Sequence, residues 1–171
     1  MHHVQRATGP WYALSLPECL TDGSPPCEVP HVEKRPVVLI VDDQPFFLTL
    51  HVNMLGPKSY NVVTAPDAAR GFAEAKRLPP DLILLDVEMP GEDGFALCGC
   101  LKADPTTAAI PIIMLTATRD QKLNERAFQA GAQATVLKSM NVERLLNIVK
   151  VVLETEKLSP DARAQRPLGN R

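Results

Sequence analysis

The hydrophobic and polar positions along this chain change texture at Pro36. Residues 1–36 hold six prolines and scattered polar residues with no sustained period of 2 or 3.6. That composition predicts an extended, poorly ordered arm over 1–35. Beyond it, short aliphatic or β-branched runs alternate with helical patterns five times. Val37–Val41 is apolar at every position, the signature of a strand buried on both faces. Pro45 then sits in the first turn of a predicted helix, with Asp43 or Gln44 placed to cap it and Gly56-Pro57 to end it at Leu55.

The alternation continues. Asn61–Thr64 reads as a second strand, and 66–77 as a helix carrying Ala68, Ala69, Phe72, Ala73 and Ala75. Leu82–Leu85 is a third strand that closes on Asp86, followed by a loop over 87–94 and a helix from Phe95 to Ala103. Ile110–Leu115 is the fourth strand, and 119–130 a helix stopped by Gly131. The fifth strand, Ala134–Leu137, closes on Lys138. Val142, Leu145, Leu146, Val149, Val152 and Leu153 then make one apolar helix face. Strict strand–helix alternation predicts an α/β fold, a doubly wound five-stranded parallel sheet with helices on both faces. It occupies 36–155, and a polar, Arg-rich tail over 156–171 is expected to fray.

Composition narrows the class of function. The 171 residues are 45% hydrophobic and 22% charged with a net charge of −2, as in a soluble globular protein with no global attraction to nucleic acid or an anionic membrane. One Trp and two Tyr make an aromatic base-stacking surface an unfavoured reading. No apolar run approaches membrane-spanning length and no signal-peptide pattern opens the chain, so a cytoplasmic protein is expected. Cys19, Cys27, Cys98 and Cys100 lack zinc-ligand spacing, and the latter two are expected on a helix, packed as small apolar residues. His2 and His3 read as a flexible chain start rather than a metal or phosphate site.

In a doubly wound sheet, ligands bind beyond the carboxyl ends of the strands, where strand order reverses. Here the first strand ends in Asp42-Asp43, the third in Asp86, the fourth in Thr116 and the fifth in Lys138. Taken singly, each has a plain structural explanation as a helix cap, a turn residue, a β-branched strand residue or a surface lysine. Their joint arrival on one sheet edge does not. Two carboxylates roughly 5 Å apart repel by about 3 kcal/mol at an effective dielectric near 20. Three of them against one lysine call for a hard cation, better Mg²⁺ than Zn²⁺, or for a protonated carboxyl. A cation with a spare carboxylate, a hydroxyl and an ammonium beside it suits phosphoryl transfer, with Asp86 as the nucleophile.

Four segments carry a family resemblance: Val-Asp-Asp-Gln-Pro at 41–45, Leu-Leu-Asp-Val-Glu-Met-Pro-Gly-Glu-Asp-Gly at 84–94, Pro-Ile-Ile-Met-Leu-Thr-Ala at 111–117, and Lys138. They resemble the receiver domains of two-component response regulators, which are flavodoxin-like, CheY-like folds. The spacings match as well: 43 residues from Asp43 to Asp86, 30 on to Thr116 and 52 from Asp86 to Lys138.

The resemblance implies that Asp86 is the phosphoacceptor. It implies that Asp43, Asp86 and the backbone carbonyl of Glu88 bind Mg²⁺, with Asp42 reaching it through water. Thr116 would be the switch hydroxyl, Lys138 would contact the phosphoryl group, and Asp93 and Gly94 would shape the loop. It further implies a signalling domain rather than a turnover enzyme. Its phosphoryl donor would be a sensor histidine kinase or phosphotransfer protein, and its output a protein bound at the face of the fourth helix, fifth strand and fifth helix.

Two departures stand out. Ser139 follows Lys138 where the family usually has a proline after a cis bond, so a displaced Lys138 loop is expected. Thr135 occupies the position of the family's Tyr or Phe, so the aromatic readout is absent. The leading reading is a stand-alone phosphorylation-controlled binding protein. The runner-up is a receiver-like module that binds its partner regardless of phosphorylation. A phosphatase of the haloacid dehalogenase type fits poorly, because Asp42 is followed two residues on by Gln44 rather than by a second Asp.

Overall fold

The computed structural model describes residues 35–158 apart from Ser59 and Met140. The proline-rich arm with its His and Cys pairs, and the tail beyond 158, lie outside the described residues. The elements run β1 (Val37–Val41), α1 (Pro45–Leu55), a 3₁₀ turn (Gly56–Lys58), β2 (Asn61–Ala65), α2 (Ala68–Arg77) and β3 (Leu82–Asp86). The short strands β4 (Glu88–Met89) and β5 (Glu92–Asp93) follow, then α3 (Gly94–Ala103), β6 (Ile112–Thr116), α4 (Gln121–Gln129), β7 (Ala134–Leu137) and α5 (Val142–Leu158). Five strands form one parallel sheet in the order β2-β1-β3-β6-β7, so the winding reverses between β1 and β3. This is the doubly wound parallel sheet expected from the alternation, in the flavodoxin-like form that the resemblance implies. Among the described residues no helix is long and apolar enough to cross a membrane.

The continuous apolar runs follow from burial on two faces. Alternate residues Val38, Ile40, Leu82, Leu84, Ile113, Leu115 and Val136 pack with Leu55 of α1 and Leu145, Val149 and Leu153 of α5. The intervening Leu39, Val41, Ile83, Leu85, Ile112 and Met114 pack with α2, α3 and α4 through Ala75, Leu97, Leu101 and Ala127. A strand flanked by helices on both sides has no solvent face to make polar. Its chemistry is pushed to its ends.

Element boundaries moved where a cap or a missing donor decided them. α2 starts at Ala68, not Pro66, because the Asp67 carboxylate accepts from the Arg70 N–H at 2.7 Å. α4 starts at Gln121 because Asp120 caps it through the Lys122 N–H at 2.8 Å. β6 begins at Ile112 rather than Ile110; Pro111 offers its carbonyl to the Ile83 N–H but has no N–H to return. Gly56 is not a left-handed cap but stays right-handed (φ −54°) and continues into the 3₁₀ turn. Gly131, by contrast, stops α4 at φ +94°, as expected. α5 runs to Leu158, past the boundary expected at 155, and Val142 at its start is exposed rather than part of the buried stripe. The 87–94 loop folds as an antiparallel ribbon pairing Glu88 with Asp93 and Met89 with Glu92. Cys98 is buried and donates to the Ala130 carbonyl at 3.2 Å, its thiol pushed up to about 11 by burial, whereas Cys100 is exposed.

Gly94 fixes how closely α3 approaches β3. A Cβ there would collide with the Asp86 carbonyl oxygen and lie 2.9 Å from Val87 Cα, both of them backbone atoms that cannot swing aside. Gly94→Ala is therefore expected to cost about 1–3 kcal/mol in urea unfolding. Gly99→Ala, in the same helix with nothing near its Cβ, should instead gain about 0.5–1 kcal/mol. Equal responses at the two positions would contradict the close approach.

Candidate phosphoryl-transfer site

The carboxyl ends of β1 and β3, adjacent strands on either side of the winding reversal, bring Asp42, Asp43 and Asp86 together. Their oxygens can be chosen to lie within 4.8 Å of one another. Asp42 and Asp86 are fully buried. One oxygen of each is held by a tight local turn: the Gln44 N–H donates to Asp42 Oδ1 at 2.9 Å, and the Glu88 N–H to Asp86 Oδ1 at 3.1 Å. The other oxygens face Lys138. Its ammonium donates to Asp86 Oδ2 at 2.7 Å and lies 2.9 Å from Asp42 Oδ2, outside good hydrogen-bonding orientation to the latter.

Lys138 is carried there by β7, and its own N–H donates to the Thr116 carbonyl at 2.8 Å. Ser139 stands where the family usually has a proline after a cis bond. Among the described residues every peptide bond is trans, and Lys138 still reaches both carboxylates. Thr116 stands at the same edge, but its hydroxyl is engaged within its own loop. It donates to the Thr118 carbonyl at 3.1 Å and accepts from the Thr118 N–H at 3.2 Å. Glu88 lies in β4 with its side chain exposed. Asp93 caps α3 by accepting from the Phe95 N–H and pairs with Arg126 of α4 at 3.1 Å.

Electrostatics define what the site lacks. Burial raises the Asp86 carboxyl above its ordinary value; hydrogen bonds from Lys138 and the Glu88 N–H oppose this, and the Asp42 charge adds to the rise. Burial alone would lower Lys138, but its hydrogen bond to Asp86 and its pairing with the Asp42 carboxylate outweigh that and hold it above its ordinary value. One ammonium thus faces three carboxylates. Asp43 Oδ1 is buried with no hydrogen-bond donor. An orphaned carboxylate oxygen inside a cluster of hard oxygens fits a divalent cation of the Mg²⁺ type.

The sequence pattern did not single out Phe47 and His51. They stand one helical turn apart on α1, immediately after the Asp pair, and their rings stack at 6.3 Å. The Phe47 ring centroid lies 4.4 Å from the Lys138 ammonium. His51 is buried with an unpartnered Nδ1, and desolvation lowers its pKa. The i, i+4 spacing was readable; the meeting with a lysine at the far end of the domain was not.

A doubly wound parallel sheet with an acidic cluster and a lysine beyond the carboxyl ends of its strands defines a class of α/β proteins, and comparison with known proteins narrows it. Residues 38–150 match the family model of the response regulator receiver domain. Protein PilH of Pseudomonas aeruginosa is 35% identical over 117 residues, covering 68% of this chain and 96% of PilH. The DNA-binding dual master transcriptional regulator RpaA of Synechocystis is 38% identical over 127 residues, covering 74% of this chain and 53% of RpaA. The crystallised chemotaxis protein CheY4 of Vibrio cholerae superposes with a TM-score of 0.66 at 29% identity, covering 68% of this chain and 98% of CheY4. The chain therefore spans about half the length of RpaA but nearly all of PilH. It belongs to the response-regulator receiver family, whose members signal by phosphorylation, generally use Mg²⁺, and interact with histidine kinases or phosphotransfer proteins.

Without a divalent cation, the Asp86 charge works against the fold. Its carboxyl is raised, so the folded state holds that proton to higher pH than the unfolded chain does. The associated stability is present at acid pH and lost as pH rises from the unfolded to the folded value. Asp86→Asn in chelator-treated buffer is expected to melt a few degrees above wild type at neutral pH and to lose this acid-side slope. A lower melting point at neutral pH would show that the Lys138 pairing outweighs the burial penalty.

Proposed function

We propose that residues 36–155 are a phosphoacceptor domain in which Asp86 takes a phosphoryl group with Mg²⁺ bound by Asp43, Asp86 and the Glu88 carbonyl, and by Asp42 through water. The observation that carries this reading is the buried Lys138 ammonium set against Asp86 beside two further carboxylates. An Asp86 oxygen attacks phosphorus while the bond from phosphorus to the donor nitrogen or oxygen breaks, and the donor leaves with its electron pair. The bound cation would supply charge neutralisation for the phosphoryl oxygens. Lys138 neutralises another of them, already desolvated and therefore effective. Thr116 completes the set by turning from Thr118 to a third oxygen, giving up two hydrogen bonds worth roughly 1 kcal/mol each. The reaction is a single transfer followed by hydrolysis of the acyl phosphate, not turnover of a substrate pool.

In this reading the domain acts in the cytoplasm as a stand-alone receiver controlled by phosphorylation. Its donor is a sensor histidine kinase or phosphotransfer protein. Its output is a protein bound at the face of α4, β7 and α5, where Phe128 and Val142 stand exposed, and neither nucleic acid nor membrane is a partner. Incubation with acetyl phosphate and Mg²⁺ should add one phosphate to the intact mass of the wild type and none to Asp86→Ala. Mg²⁺ at constant ionic strength should raise the melting temperature of the wild type far more than that of Asp43→Ala. An unmodified wild type, or equal Mg²⁺ stabilisation of both proteins, would sink the assignment.

One observation favours a weaker switch. The Thr135 hydroxyl donates to Asn124 Oδ1 of α4 at 2.6 Å, tying β7 to α4 without a ring that could fill space vacated by Thr116. A ligand shifts an equilibrium only by its differential affinity for two states. Phosphorylation is therefore expected to change partner affinity about tenfold or less, roughly 1.4 kcal/mol. Thr135→Tyr should widen that difference. A change above about a hundredfold, roughly 2.7 kcal/mol, in the unmodified sequence would overturn the weak-switch reading.

A further inference from the structure

We propose that Phe47 is a positioning residue for Lys138: its ring face holds the ammonium in place over Asp86. This rests on the reading of Asp86 as the phosphoacceptor and names a further residue that the same site requires. Lys138 belongs to no regular element. It follows the last residue of β7 and precedes the exposed Ser139, and its backbone N–H donates to the Thr116 carbonyl. A four-carbon stem of that kind carries about 2 kcal/mol of rotamer entropy, and something must hold its tip. Three groups surround that tip: Asp86 Oδ2 at 2.7 Å, Asp42 Oδ2 at 2.9 Å, and the Phe47 ring centroid at 4.4 Å.

The three partners differ in one respect. The carboxylates are the oxygens that a divalent cation competes for, and Asp86 is the oxygen that a phosphoryl group would occupy. The attraction of a ring quadrupole for an ammonium depends on neither event. Phe47 is the partner whose hold on Lys138 survives when the carboxylates are engaged elsewhere. Its geometry suits the task. It sits in the first turn of α1 behind Pro45, whose fixed φ sets the entry of that helix. The buried His51 ring stacks on it at 6.3 Å and 25° from parallel, one turn further into the core, and Phe46 meets it edge-on at 5.4 Å. The ring is thus packed from within α1 while it faces the lysine. Phe46, its exposed neighbour, has no such contact with the ammonium.

The test separates holding the lysine from holding the fold. In metal-free protein the Lys138 side-chain protons should be shifted upfield by the ring current of Phe47. That shift should vanish in Phe47→Leu and return in Phe47→Trp. With Mg²⁺ present, Phe47→Leu should weaken beryllofluoride binding about fivefold, roughly 1 kcal/mol, while Phe47→Trp binds as wild type. Mg²⁺ affinity should not fall in either variant, because loosening the lysine only frees the carboxylates for which the cation competes with it. A merely structural role would move Mg²⁺ and beryllofluoride affinity together and lower the melting point in parallel. Wild-type beryllofluoride affinity in Phe47→Leu, or an unshifted Lys138 resonance in the native chain, would overturn the positioning role alone. Failure of the native chain to bind beryllofluoride at all would instead bring down the reading of Asp86, and the positioning role with it.

Discussion

A lysine ammonium enclosed between two fully buried carboxylates is the interaction on which the arrangement of this domain turns. Asp42 and Asp86 end adjacent strands whose every other residue is apolar, and both are fully buried. Unpaired charges in such a place would cost several kcal/mol each. Lys138 can offset that cost only because β7 is delivered to the far edge of the sheet with its last residue level with Thr116. The sheet order and the connections through α3 and α4 bring that one side chain back to the end of β3. The pairing is also incomplete, since three carboxylates face one ammonium. The residual negative charge suits the divalent cation and the phosphoryl transfer proposed for this site.

The same crowding explains why the surrounding backbone is so closely specified. The Asp86 side chain accepts from the Glu88 N–H, and the Gly94 N–H donates to the Val87 carbonyl at 3.3 Å, so the short β4–β5 ribbon is tied to the end of β3 at both of its ends. Asp93 caps α3 and pairs with Arg126, whose guanidinium also lies 4.2 Å from the Phe95 ring centroid. α4 is thereby tied to the ribbon on one side and, through Asn124 and Thr135, to β7 on the other. A helix held on both sides by polar contacts at the surface moves only when those contacts are exchanged, so any signal from Thr116 passes through bonds of modest strength.

Most of the architecture was legible because the burial pattern was unambiguous. Strands apolar at every position and helices apolar on one face permit few arrangements besides a parallel sheet covered on both sides. The errors fell where a single cap or a single missing donor decides the outcome: Asp67 and Asp120 delaying α2 and α4, Pro111 shortening β6, and the ribbon at 88–93 too brief to show any period. With Ser139 in place of the usual proline, Lys138 still lies against both carboxylates. The pull of two buried carboxylates on an ammonium outweighs whatever the turn alone would prefer.

By itself, the sequence determined which residues stand at the strand ends, because the period of each apolar run places its last member and whatever polar residue follows. It therefore determined that Asp42, Asp43, Asp86, Thr116 and Lys138 share one edge. Only the tertiary structure decided how they face one another: that Lys138 bridges Asp42 and Asp86, that the Thr116 hydroxyl is turned to Thr118, and that Phe47 and His51 stack beneath the site. Strand periodicity reports burial along the chain. Side-chain orientation across the gap between β1, β6 and β7 is settled by distances between residues that no local pattern connects.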